Sequence, residues 1–273
     1  MSPAPVSFRE YRDLLSRAGL LASDAPLNEG ADRLLTGLSY DSRSVKVGDL
    51  FVCKGNAFKA EYLDQAVKNG AAAYVSETDF GRDLPCLQVS DVRFALGLLA
   101  DRFFGHPSGR LKIAGVTGTK GKTTTCFVLK SILDCWREEQ GLPGAGLLTG
   151  IVTDDGAERT AASLTTPESP DLQRHLWNAA EAGCGYLVLE VSSQALAHGR
   201  VAGVELDAAA FLNIGEDHIS PKEHPDLEDY FRTKLRIFDQ ARTAVVNLDE
   251  PRHAEVLAAA RSEEHTSELQ SRI

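Results

Sequence analysis

Paired cysteines are missing from the sequence. Cys53, Cys86, Cys126, Cys135 and Cys184 are scattered, odd in number and never in a C-x-x-C spacing, which speaks against a disulfide framework and against a cysteine zinc site. Positive charge is in deficit: 29 Lys and Arg stand against 39 Asp and Glu, a net charge of -10. Binding to a nucleic-acid backbone depends on clustered cations, so general nucleic-acid partners are not expected. No apolar run reaches about 18 residues, and the N-terminus "MSPAPVSFREYRDLLSRAG" has no basic segment followed by an apolar one. These absences describe a soluble, cytoplasmic protein of a reducing compartment with no membrane partner. An acidic surface still permits a small anionic ligand in one local site. No internal repeat is visible.

What remains is an ordinary globular composition, 43% hydrophobic and 25% charged. The first third reads as a small mixed α/β domain. "SFREYRDLLSRAGLL" has helical spacing, "DLFVCKG" is strand-like, and "AEYLDQAVKNGAAAYVSE" predicts a helix stopped near Gly70 and then a strand. "LPCLQVSD" predicts a short strand, and "DVRFALGLLADRFFGHPSG" a helix that runs into a Gly/Pro/Ser break at 105–109. We place the boundary of a first domain, 1–109, at that break. Over 110–260 the pattern alternates. "LKIAGV", "GYLVLEV", "AAAFLNI" and "TAVVNLD" are nearly continuous apolar strands, separated by a helix through about Trp136 and another near 171–182. That alternation predicts an α/β domain with a mainly parallel sheet covered on both faces. Residues 261–273 change composition abruptly after an Ala-rich helix. Residues 261–271 resemble the in-frame translation of a common sequencing adapter, so they are expected to be a non-native tail.

"GTKGKTT" follows a strand and opens a helix, the setting a phosphate-binding loop requires. Gly118 and Gly121 let the N–H groups of Thr119, Lys120 and their neighbours approach phosphate oxygens. The helix start at Lys122, Thr123 and Thr124 adds unpaired donors. Lys122 supplies a point charge and the Thr123 hydroxyl suits Mg²⁺. The strict pattern asks for glycine at position 116, where this chain has Val116. A nucleotide is the expected ligand, with the reaction left open between kinase, ATPase, GTPase and ligase.

Three further residues stand out. Glu190 ends the strand "YLVLE", where it is either a Mg²⁺ ligand at the crevice or a strand-end surface carboxylate. His218, in "NIGEDHISPKEHP", either ligates a metal or fills a polar pocket. Lys234 falls on the apolar stripe of "DLEDYFRTKLRIF", formed by Leu227, Tyr230, Phe231, Leu235 and Phe238. A lysine there either snorkels to the helix edge or loses its charge by desolvation. As a neutral amine it can act as a base, or take up CO₂ to give an anionic carbamate suited to Mg²⁺.

"GVTGTKGKTTT", "SLTTPESPDLQ", "LEVSSQALAHGR" and "NIGEDH…YFRTKLRIF", in this order and spacing, resemble the Mur ligases, and within them the tripeptide-synthetase (MurE) type; "YDSRSVKVGDLFVCKG" resembles that type's UDP-binding segment. The likeness covers about residues 30–260. It implies an N-terminal UDP-muramoyl-binding domain and a central ATP-binding domain. The implied activity is ATP-dependent addition of a diamino acid, L-lysine or meso-diaminopimelate, to UDP-N-acetylmuramoyl-L-alanyl-D-glutamate in peptidoglycan precursor synthesis. The route runs through an acyl phosphate. By the same resemblance the loop residues Gly118 to Thr124 bind ATP and Thr123, Glu190 and His218 hold Mg²⁺. Lys234 takes the position of a carbamylated lysine that also serves the metal, so Lys122, Lys234, His218 and Glu190 form the catalytic set. Ser42 contacts UDP, and Thr165, Thr166, Ser192 and Arg200 the muramoyl-peptide part. A monomer is expected.

Three positions depart from many relatives: Gln194 follows Ser193 where they carry His, and Ile219-Ser220 follow Asp217-His218 where they carry Leu-Asp. The "DHISPKEHP" version leans towards L-lysine. The family's third domain, which closes over ATP and binds the incoming amino acid, has no counterpart in the remaining residues, so little ligase activity is expected of this chain. A P-loop kinase or ATPase, a folate-type ligase and a binding-only fragment are the competing readings. The UDP-binding segment and Lys234 have no role in a plain ATPase.

Overall fold

The computed structural model describes residues 3–22, 32–55, 58–217, 219–220, 223–261 and 268–271. The chain divides into two compact units, Met1–His106 and Pro107–Ile273, each with its own sheet. No helix among the described residues is long and apolar enough to cross a membrane.

In the first unit, β1 (Val6–Ser7) pairs antiparallel with β2 (Leu34–Leu35) and leads into α1 (Phe8–Arg17). Ser7 caps α1 in a reciprocal capping box with Glu10, satisfying N–H groups at the helix start. Strands β3 (Gly37–Ser39), β4 (Asp49–Val52), β5 (Ala73–Ser76) and β6 (Cys86–Gln88) form a parallel sheet in that order. Helices α2 (Ala60–Lys68) and α3 (Val92–Phe103) belong to the same unit. Alternate strand residues feed two cores. Leu50, Val52, Ala73 and Val75 pack with α1 and α3, while Phe51, Cys53 and Tyr74 pack with Leu63 and Ala66 of α2. With both faces covered, β4 and β5 are buried along their whole length, as crossover-linked parallel strands require.

In the second unit a 3-10 turn (Pro107–Arg110) precedes β7 (Lys112–Thr117). The chain continues through α4 (Lys122–Glu138), β8 (Gly146–Leu148), β9 (Val152–Asp154), β10 (Arg159–Ala161), α5 (Ser169–Glu181) and β11 (Tyr186–Glu190). Next come α6 (Ser193–Ala197), β12 (Ala208–Phe211), α7 (Leu227–Leu235), a 3-10 turn (Arg236–Gln240), β13 (Ala244–Asn247), α8 (His253–Arg261) and β14 (Glu268–Ser271). The strand order is β10-β9-β8-β11-β7-β12-β13-β14, parallel from β8 through β14, with β9 and β10 added antiparallel. One face packs on α4 through Val116, Val188, Leu147 and Cys126; the other packs on α5 to α8 through Leu187, Leu189, Phe211, Leu176, Phe231 and Val256. β14, in the segment set aside as a tail, lies along the edge of β13 with Ala244 opposite Glu268. An open strand edge offers sequence-independent hydrogen bonds, so it can pair with any extended neighbour.

β7 lies between β11 and β12, and the chain moves outward from it in opposite directions. Such a reversal opens a crevice at the carboxyl ends of the strands. The Gly-rich loop, the end of β11 and the end of β12 all face that crevice's rim.

Candidate active site

The loop at 118–121 is shaped by two glycines. Gly118 has φ +151°, and a Cβ there would lie 3.0 Å from Leu212 Cβ and 3.3 Å from the Asn213 nitrogen. Gly121, at φ +83°, is the N-cap of α4, and no side chain caps that helix start. The first-turn N–H groups are therefore left for an anion. Val116, at the position where a strict loop pattern has glycine, is buried in β7 opposite Glu190 and Ala210. β7 simply runs further before the chain turns.

Asn213, just past β12, fastens the loop, and sequence reasoning passed it over. Its Oδ1 accepts from the N–H groups of Thr119 (3.1 Å) and Lys120 (2.9 Å), and its Nδ2 donates to the Lys120 carbonyl (3.1 Å). Thr119 Oγ1 also accepts from the Gly215 N–H at 3.0 Å. An Asn at a strand end reads as turn chemistry; only its place in "NIGEDH", after the strand next to β7, hinted at more.

Glu190 is a buried carboxylate, 3% exposed, at the end of β11. Its Oε2 accepts from Thr123 Oγ1 at 2.8 Å and from the Gly150 N–H at 3.1 Å, and its Oε1 is 4.0 Å from Lys122 Nζ. The strand-end surface reading of this residue is thus replaced by a buried one. Lys122 Nζ also donates to the Thr119 carbonyl at 3.2 Å. Lys120, by contrast, is exposed and paired with Asp217 at 3.0 Å.

Lys234 does not snorkel; it is 1% exposed. Its Nζ donates to the Gly118 carbonyl at 3.0 Å and sits 4.4 Å above the Tyr230 ring. Burial, reinforced by the charge of Lys122, pulls the amine down to about 7, against the smaller opposing pull of Asp217 and Glu190. A neutral, nucleophilic amine is therefore available near neutral pH. His218 lies outside the described residues.

Beyond Glu190 the residues singled out for a second ligand come together. Thr166 is fully buried. Its Oγ1 donates to the Glu190 carbonyl (2.8 Å) and accepts from the Ser192 N–H (3.0 Å), so that hydroxyl pins the strand end. Ser192 Oγ caps α6 by accepting from the Ala195 N–H at 3.2 Å. Thr165 stands against Gly150, where a Cβ would come within 3.2 Å of its Oγ1. Arg200 pairs with Glu168 at 3.0 Å and donates to the Thr166 carbonyl at 3.3 Å, leaving a buried Nε with no partner. Ser42 belongs to the first unit, where its carbonyl accepts from Asn69 Nδ2 at 2.8 Å.

The groups that are present fit the ligands they suggest. A glycine loop in the left-handed region, too close to Leu212 and Asn213 for a Cβ at Gly118, beside an uncapped helix start, fits phosphate. A hydroxyl and a carboxylate 2.8 Å apart make a hard oxygen donor set of the kind Mg²⁺ takes.

Strand, glycine loop, helix start and a carboxylate on the adjacent strand define an α/β domain of the phosphate-loop class. Residues 116–271 match the model of the Mur ligase middle domain, and the chain belongs to the Mur ligase family. It is 46% identical over 210 residues to the UDP-N-acetylmuramoyl-L-alanyl-D-glutamate–L-lysine ligase of Streptococcus sanguinis, covering 77% of this chain and 43% of that one. To the UDP-N-acetylmuramyl-tripeptide synthetase of Bifidobacterium longum it is 44% identical over 231 residues, covering 83% and 43%. Among solved structures it resembles a UDP-N-acetylmuramoyl-L-alanyl-D-glutamate–2,6-diaminopimelate ligase, with TM-score 0.79, 25% identity and coverage of 98% and 52%. A MurF from Acinetobacter baumannii shares the fold at TM-score 0.62, with 22% identity and coverage of 99% and 54%. The chain thus spans under half the length of these two curated relatives.

Proposed function

We propose that this chain carries the acceptor-binding and ATP-binding parts of an amide-forming ligase of the tripeptide-synthetase (MurE) type. It acts as a cytoplasmic monomer on UDP-N-acetylmuramoyl-L-alanyl-D-glutamate. The observation that carries the reading is the convergence of Lys122, Thr123, Glu190 and buried Lys234 on one loop. A plain ATPase has no use for a desolvated lysine hydrogen-bonded to the loop backbone. Residues 1–109 supply the UDP-muramoyl domain, with Ser42 at the UDP part, and residues 110–260 the ATP domain. Residues 261–273 are a foreign tail. Relatives named as L-lysine ligases at 43–46% identity favour L-lysine over diaminopimelate as the added amino acid.

A carboxylate is a poor electrophile until one oxygen becomes a good leaving group. In the proposed reaction the acceptor's D-glutamyl carboxylate oxygen attacks the γ-phosphorus of ATP, and the bond to the β-phosphate oxygen breaks. The products are ADP and an acyl phosphate. The incoming amine then attacks the acyl carbon, inorganic phosphate leaves, and the amine's proton passes to solvent or base. Gly118, Thr119, Lys120, Gly121, Lys122, Thr123 and Thr124 hold the phosphates through backbone N–H groups, and Lys122 offsets negative charge on the oxygens in flight. Thr123, Glu190, His218 and Lys234 as its carbamate would hold Mg²⁺, which supplies charge neutralisation at the transferred group. Arg200, Ser192, Thr165 and Thr166 would contact the acceptor's muramoyl-peptide part.

Calorimetric titration with ATP·Mg²⁺ tests the ATP half. The wild-type chain binds, and Lys122→Met weakens binding by about 100-fold, the loss of one charge-assisted contact set. An unchanged affinity in that variant would overturn the assignment of the loop.

A further inference from the structure

α6 and α7 are joined by a hydrogen-bonded chain, buried at Ser193 and His224 and reaching solvent at Asp229, that the proposed reaction leaves without a role. His224 is 1% exposed and engaged at both ring nitrogens: Nδ1 is 2.7 Å from Asp229 Oδ2 and Nε2 is 3.0 Å from Ser193 Oγ. Ionised Asp229 can only accept, so Nδ1 carries the hydrogen between them, while Nε2 and the Ser193 hydroxyl share the second hydrogen bond. The order Ser–His–Asp is that of a hydrolytic triad. Here, however, Ser193 is 4% exposed, so no substrate carbonyl reaches its oxygen. The chain's ends, and not its nucleophile, carry the meaning.

Ser193 is the first residue of α6 and follows Ser192, which caps that helix. Asp229 lies in the first turn of α7, its N–H donating to the capping Asp226 Oδ1 at 2.8 Å. Beside this chain Gln194 Nε2 donates to Glu223 Oε1 at 2.6 Å, which gives the departure at Gln194 a partner next to His224. Tyr230 then links the chain to the phosphate loop. Its ring centroid is 5.0 Å from that of His224 and 4.4 Å from Lys234 Nζ, which itself donates to the Gly118 carbonyl. α7 has nine residues, and so short a helix takes its orientation from tertiary contacts.

We propose that His224 is a positioning residue: by holding Ser193 and Asp229 together it fixes the first turn of α7 against the first turn of α6, and through Tyr230 it sets the Lys234 amine at the phosphate loop. The Ser192 turn and Lys234 are thereby held in one frame. That this frame aligns the acceptor with the ATP site rests on the proposed function; the alignment of Lys234 does not.

The test is competitive labelling of the full chain with an amine-reactive reagent at one fixed pH, read by peptide mass spectrometry, with exposed Lys112 as internal reference. In the wild type Lys234 is protected. In Ser193→Ala and His224→Phe its rate relative to Lys112 rises about tenfold, the effect of losing one buried hydrogen bond. Asp229→Asn still accepts through its amide oxygen and keeps the wild-type ratio. Should His224→Phe fail to fold, Ser193→Ala, which removes one hydroxyl, gives the answer alone. An unchanged Lys234 ratio in folded Ser193→Ala overturns the proposal. So does a uniform rise across the lysines, which marks general loosening. Failure of the wild type to bind the UDP-muramoyl dipeptide would defeat the ligase reading and leave this result standing.

Discussion

Burial of the Lys234 amine lowers stability, and the loss depends on pH. Its amine is drawn down to about 7 in the folded chain against 10.5 for a freely solvated lysine. Between those values the unfolded chain binds the extra proton, so this residue's penalty is full below pH 7 and fades as pH rises towards 10.5. Lys234→Met should therefore raise the melting temperature at pH 7, by a gain on the order of a few kcal/mol at most, and the advantage should shrink as pH rises. Thermal scans from pH 6.5 to 10 check this; an advantage that grows with pH contradicts it. ¹³C-bicarbonate should give a carbamate resonance that strengthens as pH rises through about 7 and is lost in Lys234→Met. Gly118→Ala is expected to lose about 1–3 kcal/mol in urea unfolding, because it meets Leu212 and Asn213 at an unfavourable φ. Lys234 was legible in the sequence because a cation interrupts an apolar stripe. Asn213 was not, because nothing local distinguishes a turn asparagine from one whose amide holds a loop over ninety residues away.

At the scale of elements, the uncapped start of α4 is the proposed anion site, and Asn213 just past β12 holds the loop ahead of it through three hydrogen bonds. Asn213→Ala should weaken ATP·Mg²⁺ binding about 10- to 100-fold with little change in α-helical signal, measured by calorimetry and circular dichroism. The apolar runs of β11, β12 and β13 were plain in the sequence because parallel strands covered on both faces have no polar side to show. The three-residue strands β8, β9 and β10 were passed over. Their "GLL", "VTD" and "RTA" lie among glycines and polar residues, too short to set up a period. α6 was missed for the same reason, at five residues. β14 was missed for another: pairing along the edge of β13 is backbone business, without a signature in the side chains. Deleting residues 262–273 should leave ATP affinity within about twofold of the full chain, since the loop, Glu190 and Lys234 hang from β7, β11 and α7.

For the molecule as a whole, two units with separate cores carry ligand signals of different origin. The parallel sheet of the second unit was readable from alternation; the first unit read only as mixed α/β, because its strands of three and four residues are too short to declare their pairing, and the proposed division of labour between the units came only from resemblance. The central claim is that one chain carries both an acceptor site and a nucleotide site, and calorimetry with UDP-N-acetylmuramoyl-L-alanyl-D-glutamate, UDP and ATP·Mg²⁺ tests it most directly. The account predicts that ATP·Mg²⁺ binds and that the dipeptide binds at least about tenfold more tightly than UDP, the contribution of one further charged contact. A folded chain that binds ATP·Mg²⁺ but neither UDP compound would contradict it, and would leave a phosphate-loop ATPase in its place.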